Sequence, residues 1–77
     1  MKTGNKRILL QKIALVFKDL REAKGLTQDF VYRATKVHIG RIETGSKNLT
    51  ITSLADMCKF YKISLHDFFK KVEAVSI

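Results

Sequence analysis

Thr27 and Gln28, then Arg41 and Thr44, then Lys47 and Asn48 bring hydroxyls, amides and cations together in one stretch of the chain. Lys36 and His38 fall between them. Such groups donate hydrogen bonds or carry positive charge, so their chemistry is the holding of an anion or a polar edge. Bond-making chemistry has no counterpart here. There is no nucleophile beside a base, no paired carboxylates and no phosphate-cradling glycine loop. Cys58, His38 and His66 lie in separate segments without ligand spacing, so neither a metal site nor a cofactor is expected. An enzyme is not expected either.

Charge points the same way. The chain has 77 residues, a formal net charge of +8 and a pI near 9.9. Residues 1–25 hold seven basic and two acidic residues, residues 26–50 four and two, and residues 51–77 four and three. A small basic protein suits a polyanionic partner, although a solubilising surface has the same composition. The hydrophobic fraction of 45% is enough for a folded domain. One domain of this size buries only about 60% of its extended surface, and dimerisation is a common remedy. Cys58 stands alone, which fits a reducing interior. The apolar run Ile8–Leu10 is too short for a membrane span, so a cytoplasmic location is the simplest expectation.

The elements that must position these groups read as helices. Apolar residues recur at three and four positions, with no alternating pattern and no proline. Residues 1–7 read as a basic arm, 8–72 as the domain and 73–77 as a tail. Met1–Asn5 has no periodicity, and Lys2, Lys6 and Arg7 have the character of an arm that reaches along a polyanion or of a disordered tail. A first helix is expected from about Lys6 to Lys24, with Leu9 or Leu10, Ile13, Phe17 and Leu20 inward and Gly25 as its stop. Ile8, Leu15 and Val16 widen that stripe, either as core or as a contact surface. Thr27 caps a second helix in which Phe30, Val31 and Ala34 can face inward. A third helix is expected over His38–Thr44, with Ile39 and Ile42 inward and Gly45 as its stop. Thr50 caps a fourth helix with Leu54, Met57 or Cys58, and Tyr61. Ser64 and Asp67 form a variant capping box for a fifth, which carries Leu65, Phe68, Phe69 and Val72.

Four segments in order carry a resemblance: Leu20–Gln28 (LREAKGLTQ), Arg41–Gly45 (RIETG), Lys47–Leu54 (KNLTITSL) and Ile63–Phe69 (ISLHDFF). Together they resemble the phage-repressor type of helix-turn-helix domain, also called Cro/repressor-like or Xre-like, over about residues 13–69. The resemblance implies an all-α fold, a compact five-helix bundle of the lambda-repressor-like type. It also implies a regulator of transcription that binds double-stranded DNA, often as a homodimer, with the third helix in the major groove. Carried onto this chain, Gln28 at the start of the second helix donates to a phosphate, helped by the backbone N–H groups there. Arg21 and Glu43 match an ion pair that orients the reading helix. Lys47 and Asn48 match a loop along the sugar-phosphate backbone. Leu49 stands where the family often has proline.

One interval departs from the family pattern. Between Gln28 and Ile42–Glu43 about three residues are missing. If Val37 is the buried residue of the turn, His38 takes the cap position and the loss falls in the first turn of the third helix. A second alignment trims the second helix instead. Three residues are about 4.5 Å and 300° of helix, so the inward face returns to within about 60° of its place. Ile39 and Ile42 can then still pack inward, while reach into a groove suffers. Gly40 has no side chain to read a base but permits close approach. Arg41 is the best base-edge candidate, with a phosphate contact as its alternative. His38 is open to capping, phosphate contact or base contact, and Lys36 is expected at a phosphate.

Two functional readings follow. The first is a sequence-specific duplex-DNA-binding regulator, with Thr44 among its contacts and Leu65, Phe68, Phe69 and Val72 available for a two-fold contact. The second is a protein-interaction module of the same fold, an antitoxin or a component of a regulatory complex. The four apolar residues can equally close the core. Neither the operator nor a small-molecule effector is legible.

Overall fold

The computed structural model describes residues 3–46 and 48–76. Lys47, assigned to the backbone-tracking loop, lies outside the described residues, as does Lys2. Five helices follow in order: α1 (Thr3–Ala23), α2 (Gln28–Thr35), α3 (Ile39–Ile42), α4 (Ile51–Phe60) and α5 (Leu65–Ala74). Among the described residues there is no strand, and the chain is all-α.

α1 is 21 residues long, roughly 30 Å at the helical rise, and sets the long axis of a molecule measuring 35 × 21 × 21 Å. It begins at Thr3, ahead of the expected start near Lys6, so Lys6 and Arg7 stand within the helix. It ends as expected at Gly25. There a positive φ of 67° lets Leu26 N–H reach the Arg21 carbonyl (3.1 Å) and Gly25 N–H the Glu22 carbonyl (3.0 Å). Ile13, Ala14, Val16 and Phe17 are buried on α1. Leu10 is the half-buried member of its first turns, while Ile8, Leu9 and Leu15 are exposed.

Phe17 is fully buried, with its ring 4.6 Å from that of Phe68 and 6.2 Å from that of Tyr61. Val31, Ile39, Ile42, Leu54, Met57, Cys58 and Val72 complete the same core. Phe68 and Val72 are therefore core residues, and the expectation that they offer a two-fold contact surface is corrected. They lie four apart on the α5 face that closes over α1. Leu65 is exposed and Phe69 half-buried.

Three helix starts are capped by the residues expected. Thr27, Thr50 and Ser64 accept through their hydroxyls from the N–H groups of Phe30, Ser53 and Asp67. The inward expectation for Phe30 and Ala34 fails, since both are exposed. α2 buries only Val31. Thr35, one turn further along the same face, is half-buried, and Phe30 sits about 100° around the helix from Val31.

Candidate nucleic-acid interface

α2 keeps eight residues and α3 only four, so the missing turn falls in α3. A four-residue helix has almost no stability of its own, and its place comes from tertiary contacts. Ile39 and Ile42 are both buried and pin it to the core. His38 occupies the N-cap position without a side-chain capping bond. Its ring instead lies against Tyr32 of α2, with centroids 4.5 Å apart.

The turn between the two helices is built locally. Thr35 Oγ1 donates to the Val31 carbonyl (2.8 Å) and accepts from Val37 N–H (3.1 Å). Lys36 between them adopts a left-handed φ of 62°, a conformation uncommon for a residue with a side chain. This turn leaves the Lys36 side chain exposed and tucks Val37 against the core.

Arg21 and Glu43 lock α1 to the end of α3. Arg21 Nε donates to Glu43 Oε2 (2.8 Å), Nη2 to Oε1 (3.0 Å), and Nη1 to the Leu26 carbonyl (2.8 Å). Their side chains are 13% and 5% exposed, which makes this a largely buried fork. The hydrogen bond to Glu43 is the main cause of a raised Arg21 pKa. Gln28 joins the pair: its Nε2 donates to Glu43 Oε1 (3.0 Å). An amide nitrogen carries two hydrogens, so one remains for a phosphate. Gly40 lies beneath this amide, where a Cβ would stand 3.1 Å from Gln28 Oε1. Gly40 thus makes room for the Gln28 side chain over α3.

Tyr61 backs the pair. It is buried, and its hydroxyl has no hydrogen-bond partner among the described residues. Burial pushes its pKa up to about 12, the Glu43 carboxylate adds to the rise and Arg21 opposes it. Below pH 10 the hydroxyl keeps its proton whether the chain is folded or not. Between pH 10 and 12 only the folded chain keeps it, so folding loses stability as pH rises through that window, by about 3 kcal/mol in all. Tyr61→Phe is expected to be about 1 kcal/mol more stable than the wild type at pH 8. Its advantage should widen between pH 10 and 12 in urea titrations. A constant difference across that range would show that Tyr61 does not titrate late.

The outer surface gathers most of the remaining candidates. Lys36, His38, Arg41 and Asn48 line one cleft of about 340 Å³, floored by Val37 and Leu49. Arg41 is exposed at the end of α3. Thr44 Oγ1 donates to the Arg41 carbonyl (2.6 Å) and shares a hydrogen bond with Ser46 Oγ (3.0 Å), so it closes the end of α3. Thr27 is committed to capping α2. Arg33, the one cation within α2, is paired with Asp29. Tyr32 and Thr35 escaped the sequence reading, and Tyr61 entered it only as an inward position of the fourth helix. Only Thr35 carried a signal, as a hydroxyl residue just before a turn.

The family profile described as helix-turn-helix matches residues 17–68, more than half of the chain and all of α2, α3 and α4. The chain belongs to the phage-repressor-type helix-turn-helix family. No curated protein and no solved structure shows significant similarity to it. This helix-turn-helix family is one of DNA-binding domains and not of enzymes, and DNA binding is the general function that membership carries. Among the described residues of this helix-turn-helix protein, no helix is long and apolar enough to cross a membrane. No group of three or more potential metal ligands occurs among them either. Cys58 is buried and its thiol pKa is raised by desolvation, which leaves it unreactive.

Proposed function

We propose that this chain is a cytoplasmic transcriptional regulator that binds duplex DNA sequence-specifically as a homodimer. α2 and α3 face the major groove. Because α3 is a single turn, phosphate contacts supply most of the affinity and Arg41 supplies most of the base reading. The observation that carries this reading is the cleft that brings Lys36, His38, Arg41 and Asn48 together at the end of α3. Gln28 and Lys36 stand at opposite ends of α2, positions from which both can meet phosphate. The two-fold contact would use Leu65 and Phe69 of α5, with Ile8 and Leu15 of α1 also exposed. A monomer at high concentration in sedimentation would remove the dimer from this reading.

Selection of bound sequences from a random duplex pool tests it directly. The expected result is an enriched palindrome with half-sites about 34 Å apart. Affinity should fall steeply between low and physiological salt. Arg41→Gln is expected to cost about 1–3 kcal/mol of discrimination at one base pair of each half-site, read by competition between the selected and the altered duplex. Flat affinity across salt, or no enrichment at all, would refute the reading. The second reading, a protein-interaction module of the same fold, draws on Phe30, which is 52% exposed on α2. It requires that fluorescence anisotropy of random-sequence duplex stay unchanged on addition of the protein.

A further inference from the structure

The α3–α4 loop does more than follow the end of α3. Gly45 is buried at a φ of 76°, and a Cβ there would stand 3.3 Å from both Cα and Cγ of Gln11. A side chain here would be strained at this φ and would press α1 away, so glycine lets the loop lie this close to its backbone. The contact sets Ser46 and Asn48 opposite the turn of α1 that precedes Gln11. Lys6, Arg7 and Leu10 of α1 and Ser46 and Asn48 of the loop surround a second cleft of about 240 Å³.

Its charge is uncompensated. The first acidic residue of the chain is Asp19, and no acid lines the cleft among the described residues. Lys6 and Arg7 are exposed, and neither forms an ion pair among those residues, where the two pairs are Arg21–Glu43 and Arg33–Asp29. Asn48 lines this cleft and also the one at the end of α3, so the two adjoin at a single residue. A polyanion held at the first therefore runs past the second. Because Lys6 and Arg7 are presented by a helix, less freedom is lost on binding than a disordered arm would lose.

The geometry points to a phosphodiester-binding cleft between the N-terminal turns of α1 and the α3–α4 loop, which takes a backbone phosphate of the DNA flanking the base-read half-site. Lys6 and Arg7 supply the charge, and the Asn48 amide supplies a neutral donor, while the Ser46 hydroxyl is held by Thr44. This rests on the DNA-binding reading above. Its ligand is the phosphate that recurs along every strand, so it adds affinity without adding sequence preference.

The test compares the full chain with the double variant Lys6→Gln/Arg7→Gln on the selected duplex and on the same duplex trimmed to the base-read core. On the longer duplex the variant should bind about tenfold more weakly at low salt. Its plot of log affinity against log salt should be shallower by about 1–2, with the preferred sequence unchanged. On the trimmed duplex the two proteins should bind alike. The charge-preserving variant Lys6→Arg/Arg7→Lys should keep the wild-type slope, which separates charge from folding. Wild-type affinity and slope in the glutamine variant on the longer duplex would overturn the cleft. So would saturable displacement of the flank contact by millimolar inorganic phosphate at matched ionic strength, which would assign the cleft to a free anion. Failure of the wild type to bind any duplex would instead sink the DNA reading itself.

Discussion

Arg21→Met is expected to destabilise the fold by about 3–5 kcal/mol, read as a lower urea midpoint with an unchanged slope. The loss comes less from the missing attraction than from what stays behind. The Glu43 side chain is 5% exposed, and without the guanidinium it keeps only the Gln28 amide as a partner. The Leu26 carbonyl loses its Arg21 donor as well. Domains of this size are stable by about 4–12 kcal/mol, so the substitution consumes a large share of the total. The double variant Arg21→Met/Glu43→Leu should recover most of the loss, because a buried pair replaced by apolar groups of similar size is often close to neutral. It should nonetheless bind DNA less well, since the end of α3 would no longer be tied to α1 and Gln28 would be unrestrained. Equal losses in the single and double variants would show that the carboxylate is not the source of the cost.

Ile39→Ala is expected to cost about 3 kcal/mol in global stability. Its effect on DNA binding should exceed what unfolding accounts for. Ile39 is fully buried, and Ile39 and Ile42 are the two apolar anchors that hold the single turn of α3 against the core. Loss of one of the two anchors leaves the helix free to fray while the rest of the domain stays folded. Amide exchange should show this directly: protection at Ile42 and Glu43, whose N–H groups bond to the His38 and Ile39 carbonyls, should fall well below that at Phe17 or Phe68. Uniform loss of protection across both regions would mean that α3 is not a separable unit. Leu54→Ala, in the core but remote from the sequence of α3, provides a control of similar global cost.

Both results bear on the way this protein handles a short reading helix. The ion pair, the Gln28 amide and the two isoleucines fix α3 from three sides. The clefts on either side of Asn48 then present cations along its flank. Binding built this way is rich in phosphate contacts and sparing of base contacts, which makes salt the most informative variable in any affinity measurement.

Much of this was legible before the fold. The caps Thr27, Thr50 and Ser64, the stop at Gly25 and the inward Ile39 and Ile42 follow from local rules, because a cap bond spans three residues and a helix face repeats over three or four. The pairing of Arg21 with Glu43, 22 residues apart, came only from family resemblance; no local rule links such positions. Other readings were out of reach for the same reason. Phe30 looks as suited to a core as Val31, and Phe68 as suited to an interface as Leu65, since apolar character alone does not say which residue meets a neighbour. Gly45 reads as a helix stop, yet its second role comes from the backbone of Gln11 pressed against it. Lys6 and Arg7 read as an arm until α1 carried them up to the α3–α4 loop. Composition and short-range spacing were enough to show which groups can bind an anion and which helices carry them. That Lys36, His38, Arg41 and Asn48 share one cleft, and that Asn48 also borders a second against α1, follows from packing between parts of the chain too far apart for any local rule to relate.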